Sequence, residues 1–450
     1  MSSAPLDPGM KAVVRLAWPT VLSFVLNNGY RLNDQYWIKD LGSAAQAAIG
    51  ASTMVLIMNF AVIFLAVGGS LPLIARATGA RRPDQRDDVI RHTVLLGVTI
   101  AGILSVVGWF LTPTIARLFD LEPETGRYMV KYLRTIYLLI LPIVFAPIVD
   151  NTFIAMGNTK LPMMLQACAV TLNLILNPIL IYGIGSWDGM GIMGAALATC
   201  ASRTVTGFTG FLLLRRLYGV RIFHGADLRM SRVFEIARLG APMALSIGFY
   251  AAVYFTLFAM VIGGLGRDVG AGFSIGFNGF ESISYPFFLG LGLAGSSLVG
   301  RNLGADRPED AWRAVHNVRR LGRTCGLAIA LVFWFGAEYL VPFFTNDPGA
   351  MIEAVRYVTI LGWSQLLVSE EVINEKILYG AGHPQAIFRI SSLGNVLRIP
   401  LAWFFAVHQG YGAAGVWWTI NATTLLKGLL FYLEVQRGRW VRPIGTAAPS

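Results

Sequence analysis

The sequence predicts an all-α integral membrane protein with twelve transmembrane helices in two parallel six-helix repeats. Three observations carry that prediction. Of 450 residues, 55% are hydrophobic and 14% charged, where soluble domains average roughly 25% charged. Apolar stretches long enough to cross a bilayer recur twelve times along the chain; a hydrocarbon core about 30 Å thick takes roughly 20 residues of helix. Landmarks in the first half return about 225 residues later in the second.

In chain order, the first half gives spans at 14–38, 46–75, 89–118, 128–156, 161–184 and 191–215. The polar start MSSAPLDPGMK leads straight into span one without a small-residue cleavage site, so that helix is expected to be retained rather than removed as a signal peptide. GARRPDQ closes span two, and the run holding Asp120, Glu122, Glu124 and Arg127 separates spans three and four. Gly157 ends span four. Span five contains Pro178, whose missing N–H leaves the carbonyl of Leu174 without its helical partner and predicts a kink. The second half gives spans at 236–263, 269–300, 312–345, 351–381, 385–407 and 412–435. The Gly-rich run from Gly290 to Gly300 in span eight reads as close helix packing. Residues 1–215 are thus expected to form an N-terminal lobe, 216–235 a cytoplasmic linker, 236–437 a C-terminal lobe and 438–450 a disordered cytoplasmic tail.

The repeat is visible in short motifs. GARRPDQ at Gly79 recurs as GADRPED at Gly304, 225 residues later, and Gly157 and Gly382 keep the same interval. Leu41-Gly42 and Leu265-Gly266 lie 224 apart, Pro19 and Pro242 223 apart. An even number of spans per half gives both halves one orientation. Parallel repeats related by an axis along the membrane normal are a secondary-transporter architecture, with substrate expected near mid-membrane in a cleft between them. The net charge of +11 follows topology rather than a nucleic-acid partner: arginines gather after spans two, six and eight and near both ends. By the positive-inside rule those loops and both termini face the cytoplasm. A multi-pass place in a bacterial or archaeal plasma membrane follows.

Several chemistries are excluded. No GxxxxGK[ST] is present to bind ATP. His92, His224, His316, His383 and His408 fall in loops or at span ends, with no HExxH or His/Cys cluster. No enzyme, haem or zinc site is expected, and no cofactor. Cys168, Cys200 and Cys325 all lie in predicted spans and read as buried free thiols, not a disulfide framework.

An ionisable side chain at mid-membrane costs several kcal/mol unless paired or hydrated, so each is a functional candidate. Asp34 in span one is the first, with Arg31 one turn earlier as its charge partner. Span five carries Asn173 and Asn177 at i, i+4 on one face, just before Pro178. Two amides and the freed carbonyl could ligate a small hard cation, or the amides could simply bond neighbouring helices. Thr199 in span six could add a hydroxyl. Asp150 and Glu375 each lie seven residues before the matched Gly157 and Gly382, which makes them equivalents across the repeat. Span ten is acidic, with Glu371 and Glu375 on one face, and a carboxylate cluster of that kind attracts organic cations. Asp150, Glu371 and Glu375 are therefore the substrate-binding candidates. One of the acids is expected to pair with Lys376 or Arg398, and Glu281 in span eight reads as a structural contact.

With these residues in view, the chain resembles the multidrug and toxic compound extrusion (MATE) family, prokaryotic type, which shares a superfamily with bacterial lipid-linked precursor flippases. The resemblance covers nearly the whole chain. It rests on LAWPTVLSFVLNNGYRLNDQYWIKDLGSAA in span one, AMGNTKLPM after span four, LNLILNPILIYG followed by GIMGAALATCASR, and FNGFESISYPFFLGLGLAGSSLVGRNLGA in span eight. It implies two six-helix bundles in a V, alternating access, and export of amphiphilic, often cationic compounds against inward H⁺ or Na⁺, by a protein acting as a monomer. It also implies that Tyr30, Asp34, Asn173, Asn177 and Thr199 form the ion-coupling site. The family often has an acid where this chain has Asn177, and usually a neutral residue where it has Arg31. Both departures remove negative charge, which weakens a tight Na⁺ site and leaves Asp34 as the principal coupling carboxylate. A flippase for an anionic lipid-linked sugar is the nearest rival, kept open by Arg31 and Arg398. A non-transporting membrane receptor or scaffold is the rival from another class.

Overall fold

The computed structural model describes residues 7–221 and 228–442, apart from the side chains of Arg31 and Leu32. Its helices follow the expected spans. The first half holds α1 (Met10–Ile38), α2 (Ser43–Gly79), α3 (Pro83–Leu118), α4 (Pro123–Leu138), α5 (Ile140–Ala155), α6 (Lys160–Tyr182) and α7 (Ile192–Tyr218). The second holds α8 (Met230–Leu257), α9 (Arg267–Ile275), α10 (Ser282–Gly304), α11 (Pro308–Leu340), α12 (Pro348–Gly362), α13 (Ser364–Ala381), α14 (Pro384–Trp403) and α15 (Gly412–Gln436). A two-residue antiparallel ribbon, Gly183–Ile184 with Trp187–Asp188, joins α6 to α7.

Among the described residues fifteen helices make twelve spans, because three spans are interrupted. Span four breaks at Leu139, where α4 and α5 meet at 59°. Pro142 has no N–H to offer the carbonyl of Leu138, so the helical ladder cannot run through that point. Span ten is likewise divided at Trp363 between α12 and α13. Span eight passes from α9 to α10 through the π-turn Gly276–Glu281. Span five differs from this pattern: α6 carries Pro178 yet continues as one helix to Tyr182.

Eight spans are long and apolar enough to cross a membrane on their own, or nine with α4 and α5 taken together, among the described residues. Spans one, ten and twelve fall outside that count; span one carries the polar run from Asn27 to Asp34, and span ten the acids of α13. Large apolar side chains face outward, Phe110 and Phe335 each 73% and Phe343 85% exposed. Lipid, not water, is the solvent that makes such a surface stable.

The repeat holds in the backbone. α3 and α11 start on Pro83 and Pro308, α4 and α12 on Pro123 and Pro348. Proline suits a first helical position, where its missing donor would be unpaired anyway. Arg81 and Asp306, equivalent non-glycine residues, both adopt φ 57°. Gly157 and Gly382 have φ 80° and 85°.

Two compact units divide the chain, but not at the expected lobe boundaries. Among the described residues, Leu22–Ala244 form the first, apart from 222–227, and 7–21 with 245–442 form the second. The start of α1 thus packs within the second unit and the start of α8 within the first. Glycines make both approaches close. A Cβ on Gly69 would stand 1.9 Å from the Ile236 carbonyl oxygen in the first unit, and one on Gly290 would stand 2.6 Å from the Val21 nitrogen in the second. The reading of the Gly290 run as a packing surface agrees with this.

The described part of the 216–235 linker is held at the start of α3. Arg221 N donates to Asp87 at 3.1 Å, while Arg232 and Arg229 pair with Asp88 at 3.0 and 3.3 Å. Residues 222–227 of that linker, with His224, lie outside the described residues, as does the tail from 443 on. The chain is still ordered past the expected start of the tail: Arg439–Val441 make a 3-10 turn, and the Trp440 indole, 1% exposed, donates to Val435 O at 2.8 Å. One further expectation is corrected. Cys168 is exposed and Cys325 half-buried, leaving Cys200 as the buried thiol, because the first two sit on outward helix faces. His92 lies within α3 and is fully buried, with the Arg229 N–H directed at its Nε2 at 2.9 Å.

Candidate functional site

In the first unit, α1, α6 and α7 bring four of the five coupling candidates into one hydrogen-bonded cage. Asn173 and Asn177 share a face of α6, one turn apart, and both are fully buried. Asn177 Nδ2 donates to Asp34 Oδ1 at 2.8 Å, and Thr199 Oγ1 lies 3.4 Å from Asp34 Oδ2. Asn173 Nδ2 reaches Thr199 Oγ1 at 3.3 Å. Tyr30, the fifth, is buried one helical turn before Asp34. Asp34 is 9% exposed, so the amide and hydroxyl donors replace the water it gives up.

Other members of the site were not picked out from the sequence. Asn33 Nδ2 donates to Asn173 Oδ1 at 2.8 Å, and the Trp37 indole to Asn33 Oδ1 at 2.9 Å. Arg203 is the more consequential omission. Its guanidinium lies 4.6 Å from the Tyr30 ring centre, a cation–π distance, and bonds Gln166 Oε1 at 3.0 Å and Asn27 Oδ1 at 2.8 Å. Its positive charge reaches Asp34. Arg31 was the expected charge partner, and its side chain lies outside the described residues.

Among the described residues the cage has one anionic ligand, Asp34. Asn173 Oδ1 already accepts from Asn33 and, at 3.4 Å, from Asn177. Asn177 Oδ1 is the buried acceptor in the cage without a donor among the described residues. Chemically, the group is suited to holding a carboxyl in either protonation state, with one spare oxygen to receive a proton donor or a cation.

Asp150, on α5, is not part of this cage. It is half-buried in the same unit and lines a small cavity with Gln166 and Arg203.

In the second unit the acids of span ten are not an open cluster. Glu371 pairs with Lys427 at 2.6 Å, and Lys427 also donates to Asn395 Oδ1 at 3.2 Å. Glu375 pairs with its neighbour Lys376, and Glu370 with Arg323. Glu375 meets the partner expected for one of these acids; Arg398 takes none of them. It is 1% exposed and, among the described residues, its hydrogen bonds go to hydroxyls: Tyr254 at 2.8 Å, Thr423 at 3.0 Å and Thr424 at 3.4 Å. A cationic partner on each span-ten acid reduces the pull on cations expected of Glu371 and Glu375. Glu281 accepts the Tyr357 hydroxyl, the structural contact expected of it.

Comparison with known proteins gives a consistent answer. A family model described as MatE matches residues 19–179 and 242–404, one stretch in each half. The probable multidrug resistance protein NorM of Thermotoga maritima is 25% identical over 435 residues, covering 96% of this chain and 93% of that protein. An FAD transporter of Shewanella oneidensis is 26% identical over 446 residues, 97% of this chain and 95% of that protein. A MATE crystal structure in the straight conformation superposes with a TM-score of 0.89 at 22% identity, covering 96% of each chain. The fold is therefore shared over nearly the full length.

Proposed function

The chain belongs to the MatE family, and from that premise we propose that it is a secondary active antiporter, not an enzyme, that exports amphiphilic organic compounds, cationic ones foremost, in exchange for H⁺. The observation that carries H⁺ coupling is the cage of Asp34. One carboxylate, faced by the amide of Asn177 and the hydroxyl of Thr199, is the only acid in it among the described residues. A tight Na⁺ site calls for more anionic or carbonyl oxygens turned inward. Here most of the cage oxygens already accept N–H groups.

Mechanistically, Asp34 is ionised when the transporter accepts cargo and protonated when H⁺ enters from outside. Protonation changes what Asn177 and Thr199 face, and so biases α1 against α6 toward the releasing state by alternating access. Only a difference in protonation affinity between the two states can drive the exchange. The protein resides in a prokaryotic plasma membrane with both termini inside, and it acts as a monomer.

The test is Asp34→Asn in proteoliposomes loaded with ethidium, under an imposed pH gradient. Wild type is expected to move the dye and the variant to fall to the protein-free background. Equal flux from the two overturns the proposal.

One observation favours a second reading. Arg398 is buried with hydroxyl partners among the described residues, and the span-ten acids are neutralised. A unit so arranged suits an anionic cargo, the charge type shared by a flavin dinucleotide and a lipid-linked sugar phosphate. Flavin dinucleotide flux that exceeds ethidium flux in the same vesicles, and that is lost in Arg398→Gln, would favour this reading.

A further inference from the structure

The interior of the first unit carries its polar side chains in two layers, and α1, α6 and α7 each contribute to both. Asp34, Asn177 and Thr199 form the layer already described. Asn27, Gln166 and Arg203 form a second, joined by the two hydrogen bonds of the guanidinium. Asn27 precedes Asp34 by seven residues on α1, which is about 10 Å along a helix rising 1.5 Å per residue. Tyr30 lies between, its ring against Arg203. The charge of Arg203 reaches both Asp34 and Asp150.

Asp150, on α5, adjoins the second layer. It lines one cavity with Arg203 and Gln166, a space that holds about one water and no organic molecule. That size argues against the substrate contact expected of Asp150. It lies five residues before the end of α5, so about 8 Å from the short loop that leads to α6.

The elements packed on α5 carry other charges: α2 has Arg76, and α3 has Asp88, Arg91 and His92. Arg203 is nevertheless the charge that acts on Asp150, and α6 offers it the neutral amide of Gln166. Around Asp34 the titratable neighbours are Tyr30 from its own helix and Tyr132 from α4.

We propose that Asp150 is a second proton-exchanging carboxylate of this unit, receiving the proton released at Asp34 by way of Arg203's layer and a water in the adjoining cavity. The balance is simple. The O–H bond of the Asp34 carboxyl breaks as the Asp150 carboxylate gains one, and Arg203 stays a cation throughout, stabilising whichever acid is ionised. A proton then enters at the Asp34 end of the unit and leaves where α5 closes. The inference rests on Asp34 being the coupling group, and its test separates the two claims.

The test is infrared titration of the full-length protein in lipid nanodiscs, reading the C=O stretch of protonated carboxyls as pH is raised. Wild type is expected to lose at least two carboxyl bands. Asp34→Asn should remove one and Asp150→Asn another, and Asp150→Glu should keep a second band at a displaced frequency. If Asp34→Asn removes its band and Asp150→Asn removes none, the second site is refuted while the coupling site stands. If Asp34→Asn removes none, the coupling reading fails and this inference fails with it. Should Asp150→Asn not fold, Asp150→Glu decides: a second band that does not move refutes the assignment.

Discussion

Replacing Lys427 by Met tests whether the second unit neutralises its own acids. Lys427 and Glu371 are 5% and 13% exposed in their side chains and meet at 2.6 Å. Removing the ammonium leaves a buried carboxylate without its ion partner, which costs about 3–5 kcal/mol. Asn395 Oδ1 loses the same donor, a further cost of about 1 kcal/mol. Packing contributes little, because Met keeps most of the stem that fills the space beside Gly394, where a Cβ would stand 2.3 Å from Lys427 Cγ. The expected loss is therefore about 4–6 kcal/mol. Lys427→Met combined with Glu371→Gln removes both charges and should return to within about 1 kcal/mol of wild type. The assay is unfolding in mixed micelles by rising SDS, followed by tryptophan fluorescence. A single variant within about 0.5 kcal/mol of wild type, or a double variant no better than the single, refutes the pairing as a structural element.

Two further variants probe the first unit. Gly69→Val would drive its side chain into the Ile236 carbonyl, already 1.9 Å from a Cβ. It should cost more than the usual 1–3 kcal/mol or so of overpacking, measured by the same unfolding assay, whereas Gly102→Val, with open space around it, should cost little. Asn177→Asp would set a second carboxylate 2.8 Å from Asp34. Two such acids cannot both ionise without a cation between them, so Na⁺-stimulated dye flux should appear where wild type has none; flux indifferent to Na⁺ would count against the cage as a cation-tunable site.

The fold was legible where it depends on length, apolarity and repetition. The span limits and the interval of 225 residues were visible because Pro83 and Pro308, or Gly157 and Gly382, serve the same backbone geometry twice. The break at Leu139 was harder to see, since prolines inside spans have unequal effects: Pro142 accompanies a bend of 59°, while α6 runs on through Pro178. The division of α1 between units was invisible, because close approach at Gly69 or Gly290 is a property of the partner helix.

The candidate site was half legible for a similar reason. Asp34 stands out in an apolar span, and Asn173 with Asn177 shows a helical spacing. Asn33, Gln166 and Arg203 find their partners across 140, 139 and 176 residues of chain, and nothing local marks them. Arg203 did carry one signal, a charge in mid-span with no neighbouring acid. The acids of span ten misled because Lys427 is 56 residues away, in span twelve.

Export driven by inward proton movement through Asp34 has a direct readout: flux by wild-type protein in proteoliposomes containing ethidium, with a pH gradient and a Na⁺ gradient imposed separately. Dye movement is expected under the pH gradient and none under Na⁺ alone. Movement under the Na⁺ gradient with none under the pH gradient would contradict it.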